Sequence, residues 1–112
     1  MELIEWNDFA KVEIRVGKVV RAEVFAAAKK PAYVLHVDFG DKIGIKKSSA
    51  QITELYRVDE LMGKLVVAVL NFPKKQIGPL MSECLVTGFH NENGAIALCV
   101  PDKSVPLGAK LL

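Results

Sequence analysis

Residues 11–24 read KVEIRVGKVVRAEV, and this stretch decides the fold. Apolar side chains at positions 12, 14, 16, 20, 22 and 24 alternate with charged ones at 11, 13, 15, 21 and 23. A period of two residues over this length predicts a long β-strand with one buried and one solvent-facing side. Gly17 interrupts the alternation, and a glycine inside such a strand predicts a bulge or sharp coil at a barrel corner.

Shorter elements follow this strand. Asn91-Glu92-Asn93-Gly94 is a strong hairpin turn signal, and residues 71–81 predict a long ordered loop. Ser48 and Gln51 have the spacing of a capping box, which predicts a short helix through about Leu55. Further strands are predicted over residues 33–39, 43–45, 65–70, 84–89 and 95–100.

This order of elements predicts an all-β protein. It fits a five-stranded Greek-key barrel of the oligonucleotide/oligosaccharide-binding (OB) type, with a short helix and extra C-terminal strands. A generic β-sandwich is the alternative. The 112 residues suffice for a single domain over residues 1–112. A hydrophobic fraction of 51% is high for so small a chain, so we expect apolar surface at a subunit interface or a binding groove.

Several classes of protein are disfavoured. The acidic, polar start of the chain is not a secretory signal, and the longest apolar run, residues 65–70, is too short to span a bilayer. A cytoplasmic protein without membrane insertion is therefore expected. Cys84 and Cys99 are predicted to be reduced thiols, and with only His36 and His90 they lack zinc-ligand spacing. We expect no metal and no cofactor.

The sequence also lacks the motifs of common enzymes. There is no G-x-S-x-G elbow, Walker loop or H-E-x-x-H. His36 and Asp38, two positions apart on one strand, could form an acid–base pair, but a solvated histidine beside a carboxylate is the plainer interpretation. A non-enzymatic binding protein with no catalytic residues is predicted.

Three lysine pairs are the most suggestive polar feature: Lys29-Lys30, Lys46-Lys47 and Lys74-Lys75. Each falls in a loop or at a strand end, and loops from distant parts of the sequence can meet at one rim of a small barrel. Converging lysines would attract phosphates even though the formal net charge is only +2. Ordinary surface solvation is the alternative.

The segment around the third pair adds two possibilities. Phe72 could stack on a nucleic-acid base or anchor its loop to the core. The apolar residues of the same loop could form a groove for extended peptide, or could seal a barrel end or a dimer contact: Ile77, Pro79, Leu80 and the adaptable Met81.

Several stretches resemble the tRNA-binding domain family: VEIRVGKV at 12–19, IGIKKSSAQIT at 43–53, VLNFP at 69–73, QIGP at 76–79 and MSE at 81–83. The resemblance covers about residues 8–112 and is strongest for its CsaA-type branch of export-related chaperones. Residues 26–31, AAAKKP, and Cys84-Leu85 after Ser-Glu depart from the tRNA-binding relatives and favour that branch.

The resemblance implies a cytoplasmic OB-fold homodimer that binds tRNA or other RNA, or unfolded preproteins and peptides during secretion. A tRNA-binding accessory subunit of an aminoacyl-tRNA synthetase complex is the alternative. By position, the loop and strand start that face the ligand in the tRNA-binding branch correspond to Asn71, Lys74, Lys75, Ser82 and Glu83. Lys46 and Lys47 correspond to the segment before the short helix and belong to the predicted binding set. Phe72 and Met81 complete the predicted RNA- or peptide-binding set. The predicted dimer interface consists of apolar residues near the chain ends: Trp6, Phe9, Leu111 and Leu112.

Overall fold

A computed structural model describes all residues, 1–112. The strands are β1 (Ile14–Val24), β2 (Tyr33–Asp38), β3 (Ile45–Ala50), β4 (Leu65–Val69), β5 (Lys75–Ile77), β6 (Leu80–Ser82), β7 (Leu85–Val86), β8 (Gly88–His90) and β9 (Ile96–Leu98). The helices are α1 (Trp6–Ala10) and α2 (Val58–Leu61). Neither helix has the length and hydropathy needed to span a lipid bilayer.

Five strands form a nearly closed antiparallel barrel in the order β3-β2-β1-β4-β7. The remaining gap lies between β3 and β7, where the Glu83 N–H donates to the Lys47 carbonyl at 2.8 Å. The predicted five-stranded barrel is therefore confirmed, as are the extra C-terminal strands, β8 and β9. These two form a hairpin around the turn at residues 91–94.

The long strand β1 serves both halves of the barrel. Its first half pairs with β4 and its second half with β2. The predicted irregularity of β1 at residues 17–19 is present but lies slightly further along the strand, because the register shift falls between Val19 and Arg21. Gly17 instead permits close packing: a Cβ there would lie 2.5 Å from Val37 Cγ1 and 2.7 Å from Phe39 Cε1. Glycine is therefore needed at position 17 because the side chains of Val37 and Phe39 leave no room for a Cβ, and not because the strand bends there.

The predicted helix after Ser48 is wrong. β3 continues through Ala50, which pairs with Tyr33 of β2, and Ser48 is fully buried. Pairing along the whole of β2 satisfies more backbone groups than a single capped turn, so the local capping signal is overridden. The short helices occur elsewhere, at α1 and at α2, where Leu61 is buried in the core.

Two other segments also differ from expectation. The predicted loop at residues 71–81 contains the hairpin β5–β6, whose turn includes Gly78 at φ +55°. The predicted strand at residues 84–89 is divided, because β7 pairs with β4 whereas β8 pairs with β9.

The main core fills the barrel, and a smaller apolar cluster lies outside it. The smaller cluster joins Phe25, Ala32 and Val34 to Leu80 of β6. It holds the β5–β6 hairpin against the outer side of β2. The main core comprises Val19, Tyr33, Leu35, Val37, Phe39, Ala50, Ile52, Leu61, Val66, Ala68, Cys84 and Leu98. Truncating one such side chain, as in Leu35→Ala, typically costs about 2–5 kcal/mol.

Candidate functional site

A groove runs over the outer face of β3, between the β1–β2 loop and the segment that joins β4 to β7. Three adjoining cavities share Ser49 and Ile77, and the first has a volume of about 260 Å³. We call this feature the rim groove. It is lined by Lys29, Lys30, Ser49, Phe72, Lys75, Ile77, Ser82, Glu83 and Leu85.

Lysines from distant stretches meet at this groove. Lys29 and Lys30 line one cavity and Lys75 lines another, and both cavities include Ser49. Lys47 lies on the same outer face of β3 as Ser49, because alternate residues of a strand share a face. By the same alternation Lys46 lies on the inner side with Ser48 and Ala50. The Lys46-Lys47 pair is therefore divided between two faces.

Glu83 connects the two walls of the groove. Its Oε1 accepts a hydrogen bond from the Lys47 N–H at 3.0 Å, and its Oε2 lies 3.8 Å from Lys74 Nζ. Lys74 itself is largely exposed. The carboxylate therefore holds a lysine of the β4–β5 loop close to β3.

Asn71 is already bonded within the protein. Its Oδ1 accepts from the Glu13 N–H at 2.9 Å, and its Nδ2 donates to the Lys11 carbonyl at 2.7 Å. Both polar atoms of the side chain therefore fix the base of the groove wall to the segment that precedes β1. In this structure Asn71 positions the loop that carries Phe72.

The β5–β6 hairpin presents one face to the groove. Cross-strand partners share a face, so Lys75 and Ser82 lie together, and both line the first cavity. Met81 pairs with Gln76 on the opposite face and does not line the groove. Phe72 lines the cavity and is 58% exposed, so it does not anchor its loop in the core.

Ser49 and Leu85 line the groove but were not among the residues predicted from the sequence, whereas Ile77 was predicted to form an apolar groove and does line the cavities. The signal for Ser49 is the alternation of Lys47, Ser49 and Gln51, which can be recognised only once β3 is known to extend to Ala50. Leu85 reaches the groove through the partner change at β7, for which the sequence carries no local pattern.

The candidate catalytic groups are separated. His36 Nε2 lies 3.6 Å from Glu23 Oε1, whereas Asp38 Oδ1 accepts the Gly40 N–H at 2.9 Å. The possible His36–Asp38 pair is therefore not formed. Burial raises the pKa of the Cys84 thiol to about 12, which keeps it protonated and unreactive at neutral pH. Both cysteines are free, and no three His, Cys, Asp or Glu side chains are grouped to hold a metal.

A second exposed region is formed by the two chain ends. The Leu111 N–H donates to the Ile14 carbonyl, and Lys110 Nζ donates to the Ala10 carbonyl, so the C-terminal tail lies beside α1. Trp6 and Phe9 stack with ring centroids 5.3 Å apart. We call this the terminal surface, and its four apolar residues are Trp6, Phe9, Leu111 and Leu112.

Charged side chains beside the C-terminal tail are paired with one another. Glu13 bonds to Arg15 at 2.7 Å and to Lys110 Nζ at 2.9 Å. These hydrogen bonds, from Arg15 first and then Lys110, hold the pKa of Glu13 below its usual range. Trp6 remains 73% exposed and Leu112 99% exposed.

Comparison with known proteins agrees with this architecture. The family model described as "Putative tRNA binding domain" matches residues 14–110. The chain belongs to the tRNA-binding domain family. Within this family, a CsaA chaperone protein from Picrophilus torridus shares 48% identity and a TM-score of 0.91, covering 98% of this chain and 100% of that one. Chaperone CsaA from Bacillus anthracis shares 40% identity and a TM-score of 0.92, covering 99% and 100%.

Curated relatives include much larger proteins of the same family. The methionine–tRNA ligase of Pyrococcus horikoshii is 37% identical over 112 residues, which is 99% of this chain. This chain spans only 15% of that ligase's length. The likeness therefore concerns one domain of the ligase and not its whole activity. The predicted membership of the family and the likeness to its CsaA branch are both confirmed.

Proposed function

We propose that this protein is a non-enzymatic, cytoplasmic binding protein that captures tRNA or other RNA in the rim groove. The observation that carries the proposal is the meeting of lysines 29, 30 and 75 around Ser49, with Lys47 and Lys74 alongside. OB barrels characteristically bind oligonucleotides with the face of strands 2 and 3 and the flanking loops, and the groove occupies this position. Membership of the family supports tRNA as the RNA.

The proposed mechanism is capture through phosphates and one stacked base. The lysines on the two walls bind backbone phosphates and release counterions, so affinity falls steeply with salt. Phe72 offers an exposed ring beside Lys75, on which an unpaired base stacks. Ser82 supplies a hydroxyl at the same wall.

The decisive experiment is a titration of labelled tRNA at two salt concentrations with Lys74→Glu/Lys75→Glu. We expect at least a tenfold loss of affinity and a salt slope reduced by about two contacts, since each phosphate-binding lysine contributes about one. Lys42→Glu/Lys103→Glu makes the same charge change outside the groove and is the matched control. Equal losses in both variants would contradict a localised site.

Extended polypeptide is a second proposed ligand of the same groove. Phe72, Ile77 and Leu85 place apolar surface beside the lysines, a combination that suits unfolded preprotein segments. The similarity to CsaA chaperones supports a chaperone role, and we propose that this role serves secretion. Binding of an unfolded preprotein should change little with salt and should weaken in Phe72→Ala. A dependence on salt as steep as that for tRNA would argue against apolar capture.

An accessory role beside an aminoacyl-tRNA synthetase is the alternative setting for RNA capture. The similarity to a domain of methionine–tRNA ligases favours it. Co-purification of a synthetase with the tagged protein would support this role, and its absence under gentle conditions would oppose it.

We also propose that the terminal surface forms a homodimer. Its exposed Trp6 and Leu112 offer apolar surface, and Lys110 of the same tail is already paired with Glu13, which suits an apolar partner surface. A twofold dimer would carry two rim grooves and so bind a large RNA with higher avidity.

A further inference from the structure

Glu83 completes the barrel with its side chain. At the gap between β3 and β7, Glu83 donates its N–H to the Lys47 carbonyl and accepts the Lys47 N–H on Oε1. Facing residues of an antiparallel ladder exchange such a pair of bonds through their backbones. Here a carboxylate oxygen takes the place of one backbone carbonyl, so this side chain adds a second link between the two groove walls.

Glu83 is also the only acidic side chain that lines the three cavities of the rim groove. Its side chain is 21% exposed, the lowest value for any carboxylate in an ion pair of this protein. Its second oxygen, Oε2, faces Lys74 at 3.8 Å. A single negative charge is thus held among lysines, where it competes with any anion for Lys74.

We propose that Glu83 is a positioning residue that limits the affinity of the groove for anions, and not a residue that contacts RNA. RNA binding then requires a phosphate to replace the carboxylate beside Lys74. The binding free energy that an isolated phosphate gains from one lysine is too small to displace the carboxylate. An RNA strand whose other phosphates also bind Lys29, Lys30 and Lys75 gains enough binding free energy to displace it. Glu83 thereby selects polyanions over small anions. This inference rests on the proposed binding of RNA in the groove.

The test compares Glu83→Gln with Glu83→Ala in titrations of labelled tRNA across a range of salt concentrations. The glutamine oxygen still accepts the Lys47 N–H, but the negative charge is gone. We expect Glu83→Gln to tighten tRNA binding about threefold to tenfold at low salt. Its salt slope should steepen by up to about 0.7–0.9, the value of one additional phosphate contact. Glu83→Ala should also lower the melting temperature, because the Lys47 N–H loses its acceptor.

Two controls isolate the mechanism. Glu92→Gln in the β8–β9 turn makes the same change in net charge outside the groove and should leave affinity nearly unchanged. In a Lys74→Gln background, Glu83→Gln should give a smaller gain, because the lysine it releases is absent.

Three outcomes would overturn the inference. A loss of tRNA affinity in Glu83→Gln would show that the carboxylate contacts RNA. Equal gains in Glu83→Gln and Glu92→Gln would show an effect of net charge alone, and an unchanged affinity in Glu83→Gln would show no competition for Lys74. If the wild-type protein binds no tRNA, the proposed function itself fails, which is a different result from wild-type binding that Glu83→Gln leaves unaltered.

Discussion

The rim groove and the terminal surface both expose apolar side chains, but they differ in how their charged side chains are paired. At the terminal surface Glu13 bonds to both Arg15 and Lys110, so each of these cations has a carboxylate partner. At the groove Glu83 is a single carboxylate among several lysines, and the one lysine paired to it is held at 3.8 Å. The groove therefore has several lysines without a carboxylate partner, whereas Arg15 and Lys110 share one.

This difference indicates what kind of partner suits each region. Unneutralised lysines beside an open cleft attract a polyanion, because releasing its counterions contributes favourable free energy. At the terminal surface, the exposed side chains of Trp6 and Leu112 make hydrophobic burial the main source of affinity. The groove is thus suited to RNA and the terminal surface to another apolar protein surface, such as a second copy of this chain.

The largest effect that we expect is at the terminal surface. Trp6→Glu/Leu112→Glu should raise the dissociation constant of the proposed dimer at least about a hundredfold, since large buried aromatics dominate interface energies. Sedimentation velocity over a concentration series measures this. Glu2→Gln/Glu92→Gln, in which no apolar residue changes, is the control. An unchanged monomer–dimer distribution would exclude this surface as the interface.

The next effect tests whether the two walls of the groove act together. Lys29→Glu/Lys30→Glu changes the wall opposite Lys74 and Lys75 and should weaken tRNA binding roughly tenfold or more, with a shallower salt slope. Fluorescence anisotropy with labelled tRNA measures both quantities. If only the Lys74/Lys75 wall mattered, this variant would bind like wild type.

Phe72→Ala should weaken single-stranded RNA binding roughly fivefold to a hundredfold, the range for loss of one stacked base. Its thermal stability should change little, because the ring is mostly exposed. Binding of a short labelled oligonucleotide and a thermal melt are the two measurements. A large loss of stability with no loss of affinity would show that Phe72 serves the fold alone.

The smallest effect concerns Glu13 and pH. Its folded-state pKa lies below that of the unfolded chain, so its stabilisation is present above the unfolded pKa and is lost as pH falls through the folded one. Glu13→Gln should therefore melt slightly below wild type at neutral pH, with the difference closing in acid. Melting curves from neutral to acidic pH check this. A gap that persisted in acid would contradict the electrostatic origin.

Much of the barrel could be predicted because most of its strands have recognisable patterns in the local sequence. The alternation in β1, the valine run of β4 and the turn at residues 91–94 each carry a signal within a few residues. The end of β3 carries no such local signal. Ser48 and Ser49 favour a helix cap when only their neighbours are considered, and they adopt a strand conformation because they pair with β2. Tertiary pairing of this kind is invisible to a short sequence window.

The site was predictable in its charges but not in its geometry. Paired lysines at loop positions indicated a phosphate-binding rim, yet only the closed sheet shows that Lys46 and Lys47 lie on opposite faces. Likewise, the amide of Asn71 and the carboxylate of Glu83 have their bonding partners 58 and 36 residues away. Such long-range hydrogen bonds decide which polar groups remain free for a ligand.

The hydrogen bond from Lys47 to Glu83 has a consequence for how the barrel responds to mutation. A ladder made only of peptide groups keeps its hydrogen bonds through most side-chain substitutions. Here one acceptor is a side chain, so Glu83→Asp, one methylene shorter, draws the acceptor away from the Lys47 N–H while the backbone bond from Glu83 to the Lys47 carbonyl remains. The seam between β3 and β7 therefore contains one link that a single substitution can remove and one that it leaves in place.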